Sequence, residues 1–173
     1  MPRSSAKAKL HINELALALD LARAMVDVVD QSTRRLASAV AIDRVRRKCP
    51  PQSVIGILHF VELATWEFQT DPSLHGKVVE VIEAHRVGRL SLRKTLLEIA
   101  KTCPRAPDFL SFLTVFLPLG WTITLKRNPE KNDRYDAFAI VAPGPRLVRL
   151  VELDPPVIPR PLVRGQVFGQ TLV

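Results

Sequence analysis

Phe109–Lys126 reads FLSFLTVFLPLGWTITLK, and a change of period inside it decides how the chain is organised. Up to Leu117 the apolar residues crowd together as on a buried helix, which Asp108 opens. Pro118 and Gly120 interrupt that run. Beyond them Trp121, Ile123 and Leu125 alternate with Thr122, Thr124 and Lys126, the pattern of a half-buried strand. The uncharged part, Phe109–Leu125, is shorter than the ~20 apolar residues that span a bilayer. A buried helix followed by a core strand accounts for it.

Upstream of this switch the spacing is helical. Residues 11–29 place Leu15, Leu19, Ala22, Val26 and Val29 on one stripe and Leu17, Leu21, Ala24 and Val28 on its neighbour. Asn13, Asp20 and Asp27 recur every seven positions and leave only a narrow wet face, so this helix belongs at the centre of a bundle or against a partner. A second helix is predicted over 32–47, capped by Ser32. There Leu36 and Val40 share a face, while Ile42 and Val45 point elsewhere. Pro50-Pro51 stops it and opens a third helix over 52–69. Asp71-Pro72 reads as a cap with proline at the first helical position of a fourth, which ends near Gly88. Ser91 caps a fifth, carrying Leu92, Leu96 and Ile99, and Cys103-Pro104 ends it.

Downstream, Tyr135–Ala142 and Leu147–Leu153 read as two further strands around Pro143-Gly144-Pro145. From Asp154 the run Pro155-Pro156-Val157-Ile158-Pro159-Arg160-Pro161 fixes an extended tail. Strands that follow a block of helices predict an α+β fold. Its helical first two thirds, five or six helices, would pack on a small antiparallel sheet. The organisation expected is a flexible basic arm over 1–10, one domain over 11–153 (helical to 117, β-rich from 118) and a proline-rich tail over 154–173.

The 173 residues suit one domain, and a chain of this length buries roughly 70% of its unfolded surface without a metal or disulfide staple. Hydrophobic residues at 47% and charged residues at 24% exclude wholesale disorder. Two widely separated cysteines, Cys49 and Cys103, favour a reducing, intracellular setting over a disulfide scaffold. The basic N-terminus is followed by Glu14, Asp20, Arg23 and Asp27, which do not make the apolar core of a signal peptide.

The charge is the main functional signal. The net +8 attracts polyanions, and it is unevenly distributed. Residues 34–48 carry Arg34, Arg35, Arg44, Arg46, Arg47 and Lys48 against Asp43 alone, a net +5, whereas residues 11–30 carry −3. Such cations neutralise phosphates and release counterions. The opposing reading is a solvated helix end that pairs with the acidic first helix. No aromatic residue is interleaved with them, so a base-stacking platform is not indicated. Arg3, Lys7 and Lys9 in the arm and Lys126, Arg127 and Lys131 near the first hairpin would extend a phosphate-binding patch.

Catalytic and metal chemistry are weakly indicated. His59 and Glu62 stand at i, i+3, and Glu80, Glu83 and His85 are close in sequence, but no HExxH or CxxC spacing supplies three or four ligands. No GxSxG or phosphate-binding glycine loop is present. Residues 83–102 have a helix–glycine turn–helix outline in which Arg93, Lys94 and Lys101 would contact DNA, yet Leu92, Leu96 and Ile99 are needed for a core. Pro156, Pro159 and Arg160 form a PxxP segment beside an arginine, which serves either as a strap over the sheet or as a ligand for an aromatic groove.

The function expected from this reading is non-enzymatic binding of RNA or DNA without cofactor or metal, within a larger assembly such as a viral or nucleoid-type structural protein. It would be located in the cytoplasm, with nucleic acid, or inside a virion. The alternative is a protein–protein assembly or adaptor module, including a matrix-like protein at an anionic membrane surface. It would use the apolar first helix and the proline tail, through a protein partner or self-association.

Overall fold

The computed structural model describes residues 9–103, 105–127, 135–141 and 147–152, with side chains placed up to residue 124. Six α-helices occupy most of it: α1 (Ile12–Val26), α2 (Gln31–Lys48), α3 (Val54–Thr70), α4 (Leu74–Arg86), α5 (Leu92–Thr102) and α6 (Pro107–Phe112). Tight 3-10 turns at Pro51–Ser53 and Leu113–Phe116 lead into α3 and continue α6.

α1 is the axis of the molecule. Leu15, Leu17, Ala18, Leu19, Leu21, Ala22 and Met25 are all buried, as its nearly all-apolar circumference requires. Its most extensive partner is α3, which contributes Ile57, Leu58, Phe60, Val61, Ala64 and Phe68. Phe60 meets Phe109 at a 5.0 Å centroid distance and Phe116 edge-on at 4.9 Å, and Phe68 approaches Phe109 at 6.4 Å. Such aromatic pairs contribute about 0.5–1.5 kcal/mol beyond their burial. One apolar cluster runs through all six helices.

The α+β expectation is corrected here. The described body is mainly helical: six helices form it, and the extended segment that begins with β1 (Thr122–Arg127) follows them as a minor element, not as a sheet on which they pack. The physical reason is that α6 and its 3-10 extension already close the core with Phe109, Leu110, Leu113 and Phe116, so no sheet is needed as a second layer. Trp121, just before the strand, and Ile123 within it reach the cluster, half-buried, while Thr122 and Thr124 are exposed, the alternation that extended chain imposes. The sequence reading placed Leu125 and Lys126 in the same alternation, but their side chains lie outside the described set. The backbone of β1 pairs antiparallel with Tyr135–Val141, and that segment with Leu147–Glu152, as a ribbon at the edge of a mainly helical protein.

Local signals set the helix ends, with small departures from expectation. Asp30, rather than Ser32, caps α2: its Oδ2 accepts from the Thr33 N–H at 2.9 Å and the Thr33 hydroxyl at 3.0 Å. The fourth helix begins at Leu74 because Asp71 is spent on a turn, taking the Ser73 N–H and hydroxyl. Gly88, at φ 82°, supplies the left-handed residue that ends α4, and its N–H donates to the His85 carbonyl.

The chain is anchored from Leu10 onward, since Leu10 is buried and its N–H donates to His85 Nε2 at 3.3 Å. That bond makes Nε2 an acceptor, so the ring proton sits on Nδ1 and is donated to the Leu90 carbonyl at 2.9 Å. One buried imidazole thus joins the start of α1 to the α4–α5 turn.

Two stability measurements follow. Leu19 is 1% exposed and Leu36 68% exposed. Leu19→Ala should therefore cost on the order of 2–5 kcal/mol in urea unfolding, and Leu36→Ala within about 0.5 kcal/mol of nothing. At Gly56 an added methyl would lie 2.8 Å from Val115 Cγ2. Alanine gains about 1 kcal/mol of helix propensity there but must displace a stiff β-branched side chain, at roughly 1–3 kcal/mol. Gly56→Ala should lower the melting temperature, and an unchanged or raised one would show that Val115 yields freely.

Candidate nucleic-acid interface

α2 is the peripheral helix, and its inner side is formed by small or β-branched residues, Ser38, Ala41, Ile42 and Val45, followed by Cys49. Ser38 is satisfied by donating to the Arg34 carbonyl at 2.8 Å. The face chosen for burial is that of Ile42 and Val45, which leaves the Leu36–Val40 face outward. No residue of the first two turns, 31–37, is fully buried.

The cations divide accordingly. Arg34 is half-buried and donates to the Val28 carbonyl at 2.9 Å, so it fastens the α1–α2 connection instead of facing a ligand. Arg35, Arg44, Arg46, Arg47 and Lys48 are exposed. At 100° per residue, Arg35 and Arg46 lie on one flank of the outward face and Arg44 and Lys48 on the other, with Arg47 between them. Arg47 pairs with Asp43 at 2.8 Å. Among the described residues Arg35, Arg44, Arg46 and Lys48 hold no ion pair. Four cations in the last turn and a half also complement the negative end of the helix dipole.

A cleft of about 450 Å³ separates the two helices, with Asn13, Glu14, Ala16, Leu17 and Asp20 of α1 on one wall and Arg44, Lys48 and Cys49 on the other. Two acids face two bases across it. The basic end of α2 therefore faces acids on the α1 side through Arg44 and Lys48, while Arg35 and Arg46 lie on the opposite flank and Arg47 is balanced by Asp43.

The remaining predicted site residues do not gather at this place. Lys126 and Arg127 belong to β1 by their backbone, and their side chains lie outside the described set. Pro156, Pro159 and Arg160, and Arg3, Lys7 and Lys131, lie outside the described residues, while Lys9 is exposed. In the helix–turn–helix outline, Leu92, Leu96 and Ile99 are buried in the core, Lys101 pairs with Glu98 at 3.0 Å, and Arg93 and Lys94 are exposed.

Reactive groups are quenched by their surroundings. Cys49 and Cys103 are buried free thiols. Burial, with some help from Glu14, pushes the Cys49 thiol up. Burial, aided by Glu67 and Asp71, pushes Cys103 up to about 12. Thiolate is scarce in both, and thiolate is the nucleophilic form. His59 is exposed against the Phe112 ring at 5.9 Å. Among the described residues no three side chains of metal-binding type converge. Nor is any helix there long and apolar enough to cross a membrane.

Sequence reasoning missed His75, which lies edge-on to Phe68 at 5.2 Å with Nε2 buried and unpartnered. Compared with known proteins, the chain matches no family model, no curated protein and no solved structure.

His75 makes stability depend on pH. Burial holds its imidazole below the ordinary 6.5, with Asp20 opposing and Arg23 reinforcing the shift. The unfolded chain therefore takes up the proton at a higher pH than the folded one. This contribution is fully present above pH 6.5 and is lost as pH falls through the folded-state value. Urea unfolding from about pH 7.5 to about pH 4.5 should show wild type losing stability relative to His75→Gln. Parallel curves for the two proteins would remove His75 as the cause.

Proposed function

We propose that the protein is a non-enzymatic polyanion-binding protein that contacts RNA or DNA through phosphates, as a component of a larger assembly of the viral or nucleoid type. The observation that carries this reading is the exposed C-terminal end of α2. Arg44, Arg46, Arg47 and Lys48 follow one another there, and only Arg47 has an ion pair among the described residues. The net +8 of the chain raises the local concentration of any polyanion around that end. Binding of this kind neutralises phosphates without reading bases, because no aromatic side chain or amide is interleaved among the four cations. Lys126, Arg127 and the basic arm extend the patch in this reading. A location with nucleic acid, in the cell or in a particle, goes with it.

A second reading, a protein–protein assembly module, is favoured by one observation. Val29, Leu36 and Val40 are 90%, 68% and 52% exposed on or beside α2. Nucleic acid gives such residues no partner. The module would dock through α2 and not through α1, whose apolar surface is consumed by the core.

Fluorescence anisotropy with random-sequence RNA at two salt concentrations tests the leading reading. Replacing Arg44, Arg46, Arg47 and Lys48 together by glutamine should weaken binding to all sequences alike. The slope of log affinity against log salt should fall by about 0.7 per lost single-strand contact and about 0.9 per duplex contact. Unchanged binding by a folded variant would take α2 out of the interface.

A further inference from the structure

We infer that the outward face of α2 is a self-association surface on which a second copy of the chain lays its own α2 antiparallel. The face changes along its length: Ser32, Thr33, Leu36, Ala39 and Val40 occupy its N-terminal half, with Arg35 on the flank, and the ion-paired Asp43 and Arg47 continue it among the cations of the C-terminal end. Leu36 and Val40, one turn apart, make an apolar ridge that nothing in the described chain covers. Val29 continues it past the helix start.

A ridge of this kind packs into the groove of another helix, and the charge distribution selects which helix and which direction. Parallel pairing would set the two basic ends side by side. Antiparallel pairing about a twofold axis level with Ser38 places Leu36 of each copy opposite Val40 of the other. It separates the two Arg46 positions by about 24 Å along the axis, at 1.5 Å per residue. That is beyond the screening length of roughly 8 Å at physiological salt, so the basic ends do not oppose one another.

The same register brings Asp30 of each copy level with Arg46 of the other, on the flank where Arg44 and Lys48 project. Asp30 is held ionised, because the Thr33 N–H and hydroxyl donate to its carboxylate and keep its carboxyl below the usual range. Each end of the pairing thus adds one fixed carboxylate beside two cations, Arg44 and Lys48, that border the α1 cleft with Glu14 and Asp20 but form no ion pair among the described residues. An isologous contact follows from the symmetry, since Leu36 meets Val40 and Val40 meets Leu36. It spans only a few turns of each helix, so it belongs with small, transient interfaces, at a dissociation constant on the order of 10 µM.

Sedimentation equilibrium on the nuclease-treated full chain, from about 1 to about 200 µM in about 0.5 M salt, tests the pairing apart from polyanion bridging, which such salt dissolves. The wild type should pass from monomer to dimer mass. Leu36→Glu with Val40→Glu should remain monomeric throughout, with an unchanged circular dichroism spectrum, because both residues are exposed. Asp30→Asn keeps a good helix cap but removes the charge, and should weaken the dimer severalfold when the salt is lowered to about 0.1 M. A wild type that stays monomeric, a double variant that still dimerises, or a dimer that disappears with the nucleic acid would each overturn the inference. An Asp30→Asn dimer as tight as wild type would overturn the antiparallel register.

Discussion

The packing of α1 on α3 is the contact that the other elements are arranged around. A helix with leucine or alanine on nearly every side has no stable place at a surface, because each exposed leucine forfeits about 1.5–3 kcal/mol of burial. α1 must be enclosed, and α2, α4 and the Leu113–Phe116 turn do this from different sides while α3 fills the longest contact. Ala18 and Ala22 are fully buried, small residues that let α1 and its neighbours approach closely. The aromatic trio of Phe60, Phe109 and Phe116 then ties the end of the helical segment back to its middle.

Enclosure of α1 leaves α2 to do something else. Its inward face is only one narrow stripe, from Ser38 to Cys49, so its first two turns rest on a capping aspartate and the Arg34 contact to the α1–α2 connection. A helix end held this way is rigid enough to present side chains yet keeps most of its circumference in water. That geometry explains why the strongest charge run of the chain and an exposed aliphatic ridge, Leu36 and Val40, occur on the same element.

Much of this was legible in the residues. The helical segments, their terminators at Pro50-Pro51 and Gly88, and the burial of Leu19 follow from period and capping chemistry alone. The fold class did not follow, because a period of two identifies a strand but not whether the core needs it. Phe109, Leu113 and Phe116 close the core from one helix and its 3-10 extension, a fact of packing that no local pattern around Trp121 records. On α2 the sequence offered two faces, Leu36–Val40 and Ile42–Val45. Only the positions of α1 and α3 decide between them, and they take the one with Ala41 and Ser38 because small residues let the helices approach. Choosing that face also sorts the cations, separating Arg34, bonded to the Val28 carbonyl, from exposed Arg35, and Arg44, on the cleft, from Arg46. His75 was invisible for the same reason, since its orphaned nitrogen depends on where Phe68 and α1 lie.

The proposed phosphate binding and self-association would make different demands on α2, whose aliphatic ridge and basic end are separated along its length. Long-range attraction of a polyanion needs cations that water still reaches, since it works through the release of counterions. Helix pairing needs the opposite, an apolar strip from which water can be expelled. Were Leu36 and Val40 interspersed among Arg44, Arg46 and Arg47, each role would spoil the other, through desolvated charge or through a hydrated ridge. With the ridge towards one end and Arg44, Arg46, Arg47 and Lys48 at the other, an antiparallel pair would carry its basic ends on opposite sides of the twofold axis. A single polyanion strand could then engage both ends of such a pair. The second contact is intramolecular, so it strengthens binding without any new residue, provided the strand spans the distance between the two ends.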